Sequence, residues 1–260
     1  MSFTGKIEQY TGSNTGLDTT NAIKQAVDIT LGTVKSNAPQ LLSLFARKVT
    51  VSSSMTTGYQ LSSEHVFDVT KIEREFGSSI YICQPVPNEQ FYAVSDPSSI
   101  YYVQGYSPAY LIDFTSRIRI FPDPDNTDKA YMYLVYNSNG KVINDSSETI
   151  TEELNHTPYG VTTPTTQCFP KVWYQYLILV ASSILVQEKI SLLMSDTTNS
   201  TFTSVEEWLS DEDEGMVTST AQAIGIFQNK IQIIDKYKQE FLTSQGIAGT
   251  SDNPKAGQKS

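Results

Sequence analysis

The stretch 172–186 is the most apolar part of the chain, and it constrains the fold more than any other feature. The stretch is interrupted by Gln175, Ser182 and Ser183, and it falls short of the roughly 20 residues that a bilayer requires. A helix that is apolar nearly all round must be buried at the centre of a packed unit, so the sequence predicts a core helix rather than a membrane span. Its two apolar faces are Trp173, Leu177, Val180 and Ile184, and Tyr174, Ile178, Ala181 and Leu185.

Further helical patterns predict partners for this core helix. Apolar residues recur every three or four positions over residues 18–34, which is typical of an amphipathic helix. Another long pattern covers about 216–242, and Pro39 opens a short helix between the first pattern and the strand region. These segments predict a bundle of about four helices, built from residues 1–46 and 171–243. The inner stripe of the last helix is Ile224, Phe227, Ile231 and Ile234.

Between residues 47 and 140 the pattern becomes extended. Runs of Ile, Val, Tyr and Phe alternate with Gly, Pro, Asn and Asp clusters, as an antiparallel meander requires. In the run 117–121, alternation places Ile118 and Ile120 inward. It turns the two arginines, at positions 117 and 119, outward or toward an acidic partner. The predicted fold class is therefore α+β, a helical bundle joined to an antiparallel β-domain. The predicted strands are 65–69, 79–83, 99–103, 109–112, 117–121 and 130–136, with a short helix over 87–94.

Two segments carry no regular pattern. Residues 141–170 are rich in Asn, Ser, Thr, Gly and Pro, so they predict an extended connecting loop. Residues 244–260 contain Gly and Pro but few apolar residues, so they predict a flexible tail that orders only on a partner.

The charge of the chain excludes a general nucleic-acid binder. Lys and Arg number 18 against 28 Asp and Glu, which gives a formal charge of -10. Phosphate binding needs a local excess of Lys and Arg. The acidic run within residues 206–214 is typical of a solvated face or of the first turns of a helix, and it lacks the fixed spacing of a metal site. The acid is concentrated at Glu206, Glu207, Asp211, Glu212, Asp213 and Glu214.

Groups of the kind that enzymes use are scarce. His65 lies in a strand run and His156 in a polar loop, and neither is near a nucleophile signature. Cys83 and Cys168 lie far apart and form no metal or redox pair. The run 123–128 lacks the glycine and glutamate of a calcium loop and predicts a turn instead. The sequence therefore predicts no enzymatic activity, no metal and no cofactor.

The strand region is rich in tyrosine, which suits contact with proteins. Buried Tyr supplies a large contact area with a polar tip and is enriched in interfaces. Stacking on single-stranded nucleic acid would also need basic residues along the backbone, and this region supplies few. The predicted interface residues are Tyr101, Tyr102, Tyr106, Tyr110, Arg117 and Arg119, with Gly246 and Ile247 from the tail.

Several short motifs follow one another in a distinctive order. They are Tyr81-Ile-Cys-Gln-Pro-Val-Pro87, Ser95-Asp-Pro-Ser-Ser-Ile-Tyr-Tyr102, Tyr106-Ser-Pro-Ala-Tyr110, Ile118-Arg-Ile-Phe-Pro-Asp-Pro124 and Phe169-Pro-Lys-Val-Trp-Tyr-Gln-Tyr176. As an ordered set they resemble the neck, or head-completion, proteins of contractile-tailed bacteriophages, over roughly residues 15–195. The acidic segment and the tail lie outside this resemblance.

The resemblance implies a structural protein of the virion, assembled in the host cytoplasm and located between head and tail. It implies a non-enzymatic ring of identical subunits, commonly a dodecamer, that docks on the portal protein and receives the next neck or tail-terminator protein. DNA would pass through such a ring without specific binding, and no membrane is involved.

Two hypotheses and one alternative follow. Because negative charge repels phosphate, some of the six acidic residues are expected to face the DNA channel. The tail from about Gly246 is expected to order against the portal. The alternative function is a carbohydrate- or receptor-binding module of the virion, also rich in Tyr and Thr, although two strong core helices fit it poorly.

Overall fold

The computed structural model describes residues 3–51, 58–61, 66–125, 127–138, 169–195, 208 and 219–247. Helices and mostly antiparallel sheets occupy separate stretches of this chain, so the predicted α+β class is confirmed. The chain divides into a helical unit, Met1–Ala38 with Trp173–Ser260, and a β unit, Pro39–Val172. The helices are α1 (Phe3–Thr11), α2 (Thr19–Asn37), α3 (Phe91–Ser95), α4 (Tyr174–Ser195) and α5 (Thr220–Ser244).

The predicted core helix is α4, and it is central to the helical unit. It packs against α1, α2 and α5, and both of its apolar faces are covered along most of its length. Phe227 and Ile234 of the predicted α5 stripe are buried beside it, while Ile224 and Ile231 are partly buried there. The buried residues of α4 are Tyr176, Leu177, Ile178, Leu179, Val180, Ala181, Ser182, Ser183, Leu185, Val186, Lys189 and Leu193.

The length argument against a membrane span was wrong. As a helix of 22 residues, α4 is long and apolar enough to cross a membrane by length and composition alone. However, 61% of its most apolar window is buried inside the folded chain. Packing within a helical unit therefore accounts for the apolar sequence, since a core helix and a membrane helix share that composition.

The β unit contains two four-stranded sheets rather than one meander. The first has the strand order β1-β8-β3-β4 and the second β2-β7-β6-β5. All pairs are antiparallel except β5 with β6, which is parallel. The strands are β1 (Arg47–Val51), β2 (Tyr59–Gln60), β3 (Val66–Phe76), β4 (Ser79–Ile82), β5 (Gln84–Pro85), β6 (Ala109–Ile112), β7 (Arg117–Phe121) and β8 (Ala130–Tyr136).

Alternation in the strands builds the core of the β unit. Ile118 and Ile120 are fully buried, as predicted, and they pack with Ile72, Met132 and Leu134 in one apolar cluster. The short helix expected over 87–94 is present as the 3₁₀ turn Asn88–Gln90 followed by α3.

β3 runs from Val66 to Phe76, well past the strand predicted over 65–69, and two further segments differ from the sequence prediction. The Pro39–Phe45 segment is a 3₁₀ helix that clusters with the β unit rather than with the helical bundle, because it contacts β3 and β8. The predicted strand over 99–103 is a turn. His65 and His156, most of the 141–170 loop and the tail beyond Ile247 lie outside the described residues.

Candidate functional site

The loop 96–108, between α3 and β6, presents large apolar side chains to solvent; it is termed here the aromatic loop. Ile100 is 91% exposed and Tyr101 is 65% exposed. Tyr106 and, to a lesser extent, Tyr102 are exposed as well. Exposed apolar groups that cluster in one place mark interaction sites more often than isolated ones do. Three of the predicted interface tyrosines are therefore placed together on the surface.

Local hydrogen bonds explain why this segment is not a strand. Asp96 Oδ1 accepts from the backbone N–H of Ser98 at 2.9 Å and from its hydroxyl at 2.7 Å. Ser99 Oγ then accepts from the N–H of Tyr101 at 3.1 Å. These bonds compete with strand pairing and favour a turn. The backbone bond from Ser98, and then its hydroxyl bond, lower the pKa of Asp96.

A cleft of about 420 Å³ lies beside the aromatic loop. One wall is apolar, because Val94, Val103 and Ala109 form a small buried cluster beneath the loop. The amides of Gln84, Gln90 and Gln104 add polar groups to the lining, next to the rings of Tyr101, Tyr102 and Tyr106. Such a lining combines apolar contact with side chains that can donate and accept hydrogen bonds.

The other three predicted interface residues of the β unit make contacts within the chain. Tyr110 is half-buried against the strand core, and burial raises its pKa. Arg117 donates from Nε to Gln60 Oε1 at 2.6 Å. Arg119 lies 3.7 Å from an Asp113 carboxylate oxygen and over the ring of Phe91. These arginines were expected to turn outward or toward an acidic partner. Arg119 has such a partner, Asp113, within the same chain.

Gly246 and Ile247 form the end of α5 rather than part of a free tail. Gly246 has a φ of 74°, the left-handed conformation that favours glycine just past a helix. Its N–H bonds Thr243 O at 3.0 Å, and the N–H of Ile247 bonds Leu242 O at 2.9 Å. Ile247 and Leu242 are both buried. This pair of bonds is the Schellman motif, so the flexible tail predicted from residue 244 is wrong for residues 244–247, which end and cap α5.

The acidic residues proposed for a channel all lie outside the described residues: Glu206, Glu207, Asp211, Glu212, Asp213 and Glu214. Their neighbour Trp208 is described and is buried in the helical unit. Its indole N–H donates to Thr15 O at 3.1 Å. Trp208 therefore fixes one point of the acidic segment against the turn between α1 and α2.

A second exposed apolar surface, which the sequence pattern did not predict, lies at the edge of the first sheet. Ile80 and Ile82 of β4 are 55% and 58% exposed, although both belong to a run that reads as core strand. The sequence gives one indication of this exposure, the Gly77-Ser78 turn before a short run. The short second strand of a hairpin can lie at the edge of a sheet. Exposed Phe114, between β6 and β7, was also missed.

A buried lysine in α4 was not predicted from the sequence either. The Lys189 Nζ donates to Thr11 O at 2.9 Å and to Ser13 O at 2.6 Å. Burial, and then the charge of Lys230, lower the pKa of Lys189 to about 7, while Glu8 opposes them. Because both bonds end on backbone carbonyls, Lys189 holds the end of α1 against the core helix.

Cys83 is the free thiol of the described chain, and it is buried in the β unit. Burial raises its pKa to about 12, so its thiolate is not available at neutral pH. Within the described residues, His, Cys, Asp and Glu form no group that could hold a metal ion.

Similarity to known proteins adds no identification. A scan of the chain against protein-family models finds no match, and a search of curated proteins finds none similar to it.

Proposed function

We propose that the chain is a structural subunit of a phage neck, which forms a ring on the portal protein and connects the DNA-filled head to the tail. The observation that carries this proposal is the aromatic loop. Its apolar rings are held outward by side chain to backbone bonds at Asp96 and Ser99. A monomer gains nothing from exposing Ile100 and Tyr101, whereas a protein interface buries such residues favourably.

The motif resemblance supplies the kind of interface. In this proposal the subunit has no enzymatic role and forms a dodecameric ring. The ring binds the portal on one side and the next neck or tail-terminator protein on the other. It resides in the virion after assembly in the host cytoplasm. DNA passes through the ring, and the net charge of -10 opposes its binding there.

A carbohydrate- or receptor-binding role is the second candidate. The cleft beside the aromatic loop favours it, since Gln84, Gln90 and Gln104 amides next to Tyr rings can bond sugar hydroxyls and stack on sugar rings. The helical unit has no place in that role. A connector, in contrast, uses both units.

Mass in solution separates these two candidates. A chain that assembles into a ring when the portal protein encoded with it is added supports the connector. A chain that stays monomeric with the portal but binds a glycan array supports the second role. Tyr101→Ser is expected to weaken either activity, so the discriminating measurement is the ring itself.

The acidic segment is assigned a proposed role in the same assembly. We place Glu206, Glu207, Asp211, Glu212, Asp213 and Glu214 toward the channel, where they would keep DNA from binding. Replacing these six with Gln and Asn should slow DNA passage while leaving ring assembly intact. An image of the assembled ring that shows these residues on its outer rim contradicts the assignment.

A further inference from the structure

The two outer strands of the first sheet, β1 and β4, each have one neighbouring strand in the described part of the chain. On β4, Cys83 follows the strand and its N–H bonds Ile72 O of β3 at 2.9 Å. The backbone N–H and C=O groups of successive residues in a strand point in opposite directions. Since the groups of Cys83 point toward β3, those of Ile82 and Ile80 point away from it. The same alternation continues past β4, where the N–H of Gln84 bonds outward to Pro108 O.

The free edge of β1 is set by the same reasoning. The N–H of Glu75 on β3 bonds Lys129 O at 2.7 Å. By alternation, the backbone groups of Tyr131 and Tyr133 also point toward β3, and those of Met132 between them point toward β1. Because Tyr133 and Tyr131 pair with Lys48 and Thr50, those two β1 residues direct their backbone groups away from the sheet.

The two free edges match each other in direction, register and side-chain face. Three successive antiparallel pairs make β4 antiparallel to β1. Placing Ile80 opposite Thr50 and Ile82 opposite Lys48 joins all four outward residues in two hydrogen-bonded pairs. Their side chains then share one face, since Ile82 and Thr50 are linked through the cross-strand pairs of Glu73 and Tyr131.

Charge favours the same contact. Glu73 and Glu75 lie one strand in from the β4 edge, opposite Ile82 and Ile80. The Lys48 ammonium lies at the other edge, 3.9 Å from the centre of the Tyr131 ring. Glu73 is paired with Lys71 on the same face, so Glu75 supplies the negative charge near β4 and Lys48 the positive charge near β1. Unlike edges of two copies therefore attract each other.

In the second sheet, prolines block the outer edge of β5 against a further strand. Gln84 and Val86 bond toward β6, so the positions that face away are Pro85 and Pro87. Proline has no N–H and blocks the addition of a strand. In β4 the corresponding positions are exposed isoleucines with intact N–H groups.

We propose that β4 of one copy pairs with β1 of a second copy, so that the first sheet continues from subunit to subunit. This inference rests on the proposed ring and specifies its subunit contact. A rotation about an axis nearly along the strands preserves their direction, so the same antiparallel pair can repeat at every contact of a ring. Such a head-to-tail contact gives a closed ring when the rotations of all subunits add up to one full turn.

Ile82→Pro tests the backbone pairing directly. It removes an N–H that points away from β3 and bonds no other strand among the described residues, so the variant is expected to fold normally but to lose ring formation with the portal protein. Ile82→Thr, which keeps the N–H, is the matched control and is expected to assemble. A ring that forms from Ile82→Pro overturns the strand pairing.

A cysteine pair tests the partner and register. In a Cys168→Ser background, Ile80→Cys with Thr50→Cys is expected to give a ladder of disulfide-linked multimers, since paired strands bring Cα atoms within disulfide reach. Either substitution alone is expected to give no ladder. Rings in which the cysteine pair stays reduced contradict this register and partner.

Hydrogen exchange separates the remaining outcomes. The Ile80 and Ile82 amides are expected to exchange rapidly in the monomer and to become protected in the ring. Protection already present in the monomer shows that another segment of the same chain covers β4, and it overturns the proposal. A chain that never assembles with the portal overturns the ring and, with it, this contact.

Discussion

Gly105 of the aromatic loop lies against the ring of Phe76 at the end of β3, so closely that a methyl group at Gly105 would overlap the ring. This contact joins the aromatic loop to the hairpin that carries β4. The two exposed surfaces of the β unit are therefore physically connected, and a change at Gly105 is expected to disturb both.

Gly105→Ala is expected to destabilise the β unit by about 1–3 kcal/mol, the usual cost of overpacking. The Phe76 ring or the loop must shift to admit the methyl group. Chemical denaturation followed by circular dichroism measures the effect. The matched control is Gly32→Ala in α2, where the added methyl meets open space, and about 0.5–1 kcal/mol of stabilisation is expected. Equal stability of Gly105→Ala and the native chain would contradict the contact.

Lys189 predicts a specific pH dependence of stability. Its pKa is about 7 in the folded chain and 10.5 without the fold, so between these values the unfolded chain binds more protons. The free energy of unfolding contributed by this group therefore rises from pH 7 upward, with a limiting slope of about 1.4 kcal/mol per pH unit. Below pH 7 the group adds no further slope, because it is protonated in both states.

Denaturation at pH 7, 8 and 9 checks this expectation. Lys189→Met is expected to flatten the rise. Lys236→Met, which removes an exposed lysine of α5, should leave it unchanged. A rise of equal slope in Lys189→Met assigns the effect to other groups.

Burial of Cys83 predicts that its thiol is unreactive in the folded chain. With a pKa of about 12 and almost no exposure, it presents neither a thiolate nor an accessible sulfur to a reagent. In a Cys168→Ser variant, a thiol reagent at pH 8 should label Cys83 only after denaturant is added. Rapid labelling of the native protein would show that this part of the β unit opens readily.

Periodicity predicted the elements whose burial repeats regularly. The two faces of α4 and the inward Ile118 and Ile120 follow directly from spacing, because burial alternates with a fixed period along a helix or strand. The 99–103 turn was missed because its isoleucine and tyrosines favour a strand, while the deciding bonds come from Asp96 and Ser99. Local polar competition overrode strand propensity there.

Features that depend on distant contacts could not be predicted in this way. Lys189 contacts carbonyl groups that lie 178 and 176 residues earlier in the sequence. The split into two sheets and the exposure of Ile80 and Ile82 depend on which strands pair, and alternation within one strand does not specify its neighbours. The exposed tyrosines were predicted from composition, but their grouping needed the fold.

Tyr101 and Tyr106 are expected to act in binding and not in stability. Because both rings are largely exposed, Tyr101→Ser and Tyr106→Ser should change the free energy of unfolding by no more than about 0.5 kcal/mol. Attachment to the portal or to the next neck protein should be lost or strongly weakened. Phe114→Ser is the control, since Phe114 is 90% exposed but does not line the cleft. Equal attachment by all three variants would rule out the aromatic loop as an interface.

A test of the tail must leave the cap of α5 intact, and this cap extends to Ile247. Removing residues after Ser244 also removes Gly246 and Ile247, whose N–H groups bond Thr243 O and Leu242 O. That truncation is expected to destabilise the helical unit by about 1–3 kcal/mol, because it removes the buried Ile247 side chain and leaves the carbonyls of Leu242 and Thr243 without these partners. Truncation after Ile247 keeps these bonds and should leave stability unchanged. If the tail orders against the portal, this second truncation alone should abolish portal attachment, measured by co-sedimentation. Normal attachment of the chain ending at Ile247 would show that the tail has no part in docking.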